Sequence, residues 1–342
     1  MAYISFQPKD YFNSHLYSGN DTTNNQQVGL TPDLVWVKCR NNGVPSHYLV
    51  DKVRGDEKYI STNATTAEQT DSNTFDLVSG GFNLAGGNGW TNVTGRNYVA
   101  WNWKANGAGV SNTDGSITST VSANTTSGFS IVTWTGNSGS VGHGLGKKPA
   151  MIITKSLGAS GGWYTTHKSL GAEMQDNYIF LNTGDGNSTN NDIWGGEPTT
   201  STFSVGSGLI GNTTHVAYCF ADIQGFSQIG RQYIGNGNAD GAFVYTGFKP
   251  AFVMMKKVSG AGYDWVIFDN KRLGYNDANK KLVANDTDVE ANTSPAGQID
   301  LLSNGFKIRT TDGHIADASP YFYIAFASEP LVSSNGVPTC AR

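Results

Sequence analysis

Three lysines stand at matched places in the 342-residue sequence: Lys38, Lys155 and Lys256 each follow a proline by six residues and a glycine by nine. The matched pairs are Gly29 and Pro32, Gly146 and Pro149, and Gly247 and Pro250. A lysine repeated in this way could pair with an acid, and a polar residue stands twelve or thirteen positions beyond each one: Asp51, His167 and Asp269. Asp51 and Asp269 suit such a pair and His167 suits it poorly. The plainer reading is that each lysine marks where a strand emerges into water, because exposed ion pairs contribute little.

Other residues with chemical potential are sparse. GHGLGKK, Gly142 to Lys148, has the outline of a phosphate loop, but Val141 stands where the first glycine belongs and Lys148 where Ser or Thr belongs. No GxSxG or HExxH occurs, the six His are dispersed, and Cys39, Cys219 and Cys340 form no CxxC. The acidic run NDTDVE, Asn285 to Glu290, could offer oxygens to calcium, yet it lacks the glycine and distal glutamate of an EF-hand loop and reads as a solvated turn. Glycoside hydrolysis needs two carboxylates about 5–10 Å apart, a tertiary fact; no matched segment carries a distinctive acid pair, which argues against an enzyme. Trp90, Trp163 and Trp194 lie in glycine-rich or polar segments, where an exposed indole could stack on a sugar. The plainer reading is that each plugs the end of its own sandwich. No cofactor and no metal are expected.

The elements that must hold these residues are strands. With 43 Gly, 15% charged residues and 8 Trp, 15 Tyr and 16 Phe, the chain is poor in helix-surface residues and rich in those that suit a pleated sheet. The formal charge of -4 is modest and the basic residues form no stripe, so nucleic acid is not an expected partner. No apolar run reaches the ~20 residues of a membrane helix, and MAYISFQPKD has no signal-peptide core, so the protein is expected in the cytosol without membrane insertion. Sequons such as Asn63, Asn92 and Asn285 then follow from Asn and Thr abundance.

The neighbours of each lysine recur in order. LYSGN, VTWTGN and QYIGN precede the glycines; Phe82, Phe203 and Phe306 follow; and strands around Ala100, Ala217 and Ala325 close each unit. DLVWVK, AMIITK and AFVMMK are apolar at successive positions, which predicts a central strand covered on both faces, with proline at its start and the glycine permitting a sharp turn into it. These observations predict an all-β protein of three tandem β-sandwich repeats, jelly-roll or immunoglobulin-like. The repeats span 1–107, 128–229 and 230–332, with a Ser/Thr/Asn-rich stretch at 108–127, read as a linker or loosely held edge strand, and a tail at 333–342. The second junction, ADIQGFSQIGRQ, is shorter, so units two and three are expected to pack closely with unit one offset.

YSGN with GLTPDLVWVKCR, LVDKVRG, VTWTGNSGSVGHGLGKKPAMIITK, FADIQGFSQIG and YIGNGNADGAFVYTGFKPAFVMMKK together give the chain a resemblance, over nearly its whole length, to repeat-built structural proteins of tailed bacteriophages, especially those of marine bacteria. The resemblance implies a non-enzymatic virion component assembled in the host cytoplasm, with other virion proteins as partners, a homo-oligomer (a trimer first), and contact with a host-surface glycan or protein. Host attachment as a tail-fibre or receptor-binding subunit is the first reading, capsid decoration the second, and a lectin-like module the third. The family carries no catalytic or binding residues to transfer, and the chain shows no heptad stalk. A pseudo-threefold monomer is one arrangement three tandem units could take.

Overall fold

A computed structural model describes residues 6–328 other than 73, 210, 273–275, 277, 279 and 293–297, together with 331–332 and 338–339. The described chain is all β, built of antiparallel sheets, with no α-helix. The first unit contains β1 (Phe12–Ser18), β2 (Asn24–Gln27), β3 (Leu34–Cys39), β4 (Tyr48–Asp51), β5 (Lys58–Ile60), β6 (Gln69–Thr70), β7 (Phe75–Val78), β8 (Gly81–Leu84) and β9 (Asn97–Trp103). They form a large sheet, β1-β9-β3-β4-β5-β6, and a small one, β2-β8-β7.

The second unit contains β10 (Val110–Asn112), β11 (Ser119–Asn124), β12 (Phe129–Thr135), β13 (Gly139–Gly142), β14 (Met151–Ser156), β15 (Trp163–His167), β16 (Asn177–Phe180), β17 (Ser188–Thr189), β18 (Thr202–Val205) and β19 (Thr214–Phe220). Its sheets are β10-β11-β12-β19-β14-β15-β16-β17 and β13-β18. The third contains β20 (Ser227–Ile234), β21 (Phe243–Tyr245), β22 (Pro250–Lys257), β23 (Val266–Asp269), β24 (Lys280–Val283), β25 (Ala291–Asn292), β26 (Ile299–Leu302), β27 (Gly305–Ile308) and β28 (Pro320–Ala327). Its sheets are β20-β28-β22-β23-β24-β25 and β21-β27-β26. A short hairpin, β29 (Leu331–Val332) with β30 (Pro338–Thr339), follows.

The three large sheets share a run of strands in the same order, the second adding β10 and β11 at one edge, and the lysine-bearing strand is fourth from the opposite edge in each case: β3, β14 and β22. Every residue of these three strands is buried, as their unbroken apolar runs require. The glycine before each has positive φ, +82° at Gly29, +65° at Gly146 and +81° at Gly247, a backbone state that only glycine adopts without strain. Pro250 is the first residue of β22, whereas Pro32 and Pro149 lie two residues ahead of β3 and β14. The closing alanines are not all equivalent: Ala100 and Ala217 lie across from Val37 and Thr154, one residue before the lysine, but in the third unit Tyr323 takes that place and Ala325 is two positions on.

Alternation along these strands divides the core in two. Val35, Val37 and Cys39 face the first small sheet, Ile152 faces the second, and Val253 and Met255 face the third, each in its own apolar cluster. Leu34 and Trp36, Met151 and Ile153, and Phe252 and Met254 face the other way, into a single cluster to which all three large sheets contribute. Phe12 stacks on Phe326 across it, with ring centroids 4.8 Å apart. The expectation that unit one is offset is thus overturned: its inner face is as much part of the common centre as the other two, because one apolar face of every large sheet has nothing else to cover it. Within 108–127, β10 and β11 extend the edge of the second large sheet, and Val121 and Ser122 are buried there.

Candidate functional site

The three lysines are not at the water surface. Lys38, Lys155 and Lys256 are all 0% exposed, which overturns the reading of them as solvated strand ends. Each sits on the inner face of its strand and reaches into the turn after β24, β5 or β16 of a neighbouring unit. Lys38 Nζ donates to Thr287 O (2.7 Å), Lys155 Nζ to Thr65 O (3.1 Å) and Lys256 Nζ to Gly184 O (3.0 Å). Two residues beyond each lysine the backbone carbonyl accepts in return: Glu290 N donates to Arg40 O, Glu68 N to Leu157 O and Asn187 N to Val258 O, at 2.7–2.9 Å. Unit one thus grips unit three, unit two grips unit one, and unit three grips unit two. The contacts are head-to-tail and they close.

The residue across the sheet from each lysine reinforces the same joint. Trp163 Nε1 donates to Ser61 O (2.9 Å) and Trp265 Nε1 to Phe180 O (2.8 Å), each acceptor four residues before the lysine's own. In unit one the position is His47, whose Nε2 faces Val283 O (2.9 Å) and Asp286 O (3.0 Å). Trp36 Nε1 donates to His47 Nδ1 (2.7 Å), so the imidazole carries its proton on Nε2 and mimics an indole. Burial and the nearby Lys38 pull its pKa down to about 3, keeping it neutral.

The polar residues beyond the lysines do not pair with them either, because they lie at the other end of the strand, opposite Leu34, Met151 and Phe252. Asp51 binds Arg54 (2.5 Å) and accepts from Tyr218 OH of unit two (2.8 Å). Asp269 binds Arg272 (2.7 Å) and accepts from Trp101 Nε1 of unit one (3.0 Å). His167 has Leu170 where the others have arginine, and its ring stacks on Phe322 of unit three at 4.4 Å. The Asp-x-x-Arg spacing at 51–54 and 269–272, replaced as a set by His-x-x-Leu in unit two, is the sequence signal that marks these clusters.

Desolvation pulls the pKa of all three lysines down to about 8. A depressed lysine can serve as a nucleophile, but here the ammonium is held by backbone carbonyls and sealed from solvent, so its chemistry is structural. The centre of the assembly holds a cavity of about 30 Å³ lined by apolar side chains, among them Trp36, Trp163, Phe252 and Met254. It offers no convergent polar groups.

One partly exposed cluster could have been catalytic. His314 Nδ1 lies 2.7 Å from Asp312 and its Nε2 3.2 Å from Asp264. The two carboxylates lift its pKa to about 9, and Asp312 is driven far down, against the effect of its burial, by His314 and Lys281. An imidazolium clamped on both nitrogens has no lone pair to offer as a base. It ties the loop at Asp312 to the loop at Asp264.

The three tryptophans proposed for sugar stacking lie apart. Trp163 is the joint residue just described and Trp194 is packed in the second unit's own core, so neither has a free face. Trp90, 38% exposed, is the one that reaches solvent. In the acidic run 285–290, Glu290 binds Arg40 (2.6 Å) across the joint between units three and one, whereas Asn285 holds Trp265 N and Asp264 within unit three. Among the described residues no group of three or more His, Cys, Asp or Glu is placed to hold a metal.

No curated protein and no solved structure matches this chain. A family match covers residues 7–330. The chain accordingly belongs to the family described as Domain of unknown function (DUF7483).

Proposed function

We propose that this chain is three tandem β-sandwich repeats closed into a pseudo-threefold ring, and that the ring is a non-enzymatic structural protein on the surface of a bacteriophage particle, seated on a three-fold or quasi-three-fold position. The virion context rests on the sequence resemblance. The seat rests on one observation, the closed cycle of joints through Lys38, Lys155 and Lys256. A single chain with three similar faces can meet three symmetric neighbours at once, which is what a decoration subunit at such a position does.

The same observation moves decoration ahead of the tail-fibre reading. A trimeric attachment subunit would need three chains to build a threefold contact that this chain builds by itself. The chemistry fits a scaffold too, since the buried charged groups described above bind backbone carbonyls or one another and leave no poised base or nucleophile.

The test is to image particles of the phage that encodes the chain. Density for one copy at head three-fold or quasi-three-fold positions is expected. Absence from the particle, or a location at the tail alone, overturns the proposal.

A further inference from the structure

On one side of each unit the edges of the large and small sheets lie together, and the three units treat that side differently. In unit one, side chains span it: Asn13 Nδ2 donates to Val28 O and His15 meets Gln26 at 2.9 Å. In unit two, the chain's own β10–β11 hairpin closes it: β11 pairs with β12, and Ile117 bridges Val141 of β13 in parallel, with Ile117 N donating to Ser140 O (2.9 Å) and Ser116 Oγ accepting from Ser140 N (2.9 Å). In unit three no further strand among the described residues covers it, although Tyr323 OH reaches across from the large sheet to Tyr245 O (3.2 Å). β20 is broken by a bulge between Gly230 and Tyr233, and Ile234, Phe243 and Tyr245 are 59%, 47% and 67% exposed.

The registers place Phe243 where unit two has Ser140 and unit one has Asn25, and Tyr245 where they have Gly142 and Gln27. Ala242 O and Thr246 N bond towards β27, so the N–H and C=O of Phe243 point away from the sheet, as those of Ser140 do. No partner among the described residues meets them. An open strand edge flanked by two exposed aromatics is a template for another strand.

We propose that β21 pairs with β21 of a second copy of this chain, antiparallel about a two-fold axis at Val244, joining the two small sheets. The edge is self-complementary: Phe243 of one copy faces Tyr245 of the other, twice, on the same face. The charges beside it are already neutralised in pairs, Lys307 with Asp240 (2.8 Å) and Arg309 with Asp300 (3.0 Å), so like can meet like without repulsion. Among the described residues, unit three is where this edge carries two exposed aromatics, so assembly stops at a dimer.

The inference is independent of the particle proposed above. Sedimentation of the purified full chain across a dilution series is expected to show the mass doubling as concentration rises, and the Phe243 and Tyr245 amides are expected to exchange more slowly in the concentrated sample. The double variant Phe243→Asn, Tyr245→Gln installs the residues unit one carries at these places; it is expected to remain monomeric with the wild-type strand signal in far-ultraviolet circular dichroism. A chain that is monomeric at every concentration, including one that instead binds an oligosaccharide at these aromatics, overturns the proposal. So does a dimer that survives the double substitution, or unchanged exchange at the two amides.

Discussion

Replacing Trp163 with alanine weakens one of the three joints while leaving the other two intact, and it separates a ring from a string of independent domains. The indole is fully buried in the core that all three large sheets share. Truncating a buried tryptophan costs about 3–5 kcal/mol in lost transfer energy and residual cavity. Its Nε1 also donates to Ser61 O and, at 3.2 Å, to Ala64 O. Ser61 O keeps the amide of Ala64 as a donor, whereas Ala64 O is left without this bond, adding about 1 kcal/mol. The expected loss is therefore about 4–6 kcal/mol. Because Leu34, Trp36, Phe252 and Met254 lie in the same cluster, the loss belongs to the whole chain. Urea unfolding followed by circular dichroism should show a single transition at lower denaturant, and hydrogen exchange should show β3 and β22 losing protection along with β14. A biphasic melt, in which unit two opens alone while Leu34–Cys39 and Pro250–Lys257 keep wild-type protection, refutes the shared core. So does a loss below about 1 kcal/mol.

Asp51→Ala removes the buried partner of Arg54, which keeps Glu68 at 3.1 Å, and is expected to cost about 3 kcal/mol in chemical denaturation. By register Ile324 of unit three holds the place of Tyr218, so the triple variant Asp51→His, Arg54→Leu, Tyr218→Ile copies the residues found around His167 and Leu170 and should recover part of that loss. Gly146→Ala meets nothing within 4 Å, so its cost should be conformational alone, about 1–2 kcal/mol from the positive φ, read as a lowered Tm. Burial holds the pKa values of His47 and His167 down at about 3, so the unfolded chain takes up protons first as pH falls below about 6.5. Stability should then drop by about 1.4 kcal/mol per pH unit for each histidine between pH 6 and 4, and His167→Phe should remove its share of that slope in urea titrations. His314, raised instead, contributes below pH 6.5 and loses its contribution as pH rises towards 9, so it leaves the acid limb untouched.

Much of this architecture was legible because strand registers obey fixed spacings. The Gly-x-x-Pro turn, the buried run after it and the closing strand follow from local rules on φ, missing donors and alternation, and they recur at the intervals the sequence shows. The placement of the lysines was not legible. A lysine ending an apolar run looks solvated, and the carbonyl that holds Lys38 lies 249 residues away in a different unit. Trp163 misled for a related reason: its glycine-rich flank resembles an exposed loop, but Gly161 N donates to Thr65 O, so the flank lies against the next unit. The equivalence of His47 with Trp163 and Trp265 is invisible by residue type, because an imidazole and an indole share one function only, an N–H aimed at the same carbonyl. The offset expected of unit one was inferred from junction length, and a longer connection constrains where a unit can reach without saying where it goes.

The stack of Phe12 on Phe326 carries a consequence for how the polypeptide is threaded. The first strand of the first unit and the last strand of the third meet in the interior, so the path nearly bites its own tail. A circular permutant, with residues near 330 tethered to residues near 8 and the chain opened between Asp222 and Gly225, would preserve every joint while renaming which unit comes first. On the proposed closed arrangement, the contacts between units do not depend on which unit the polypeptide visits first.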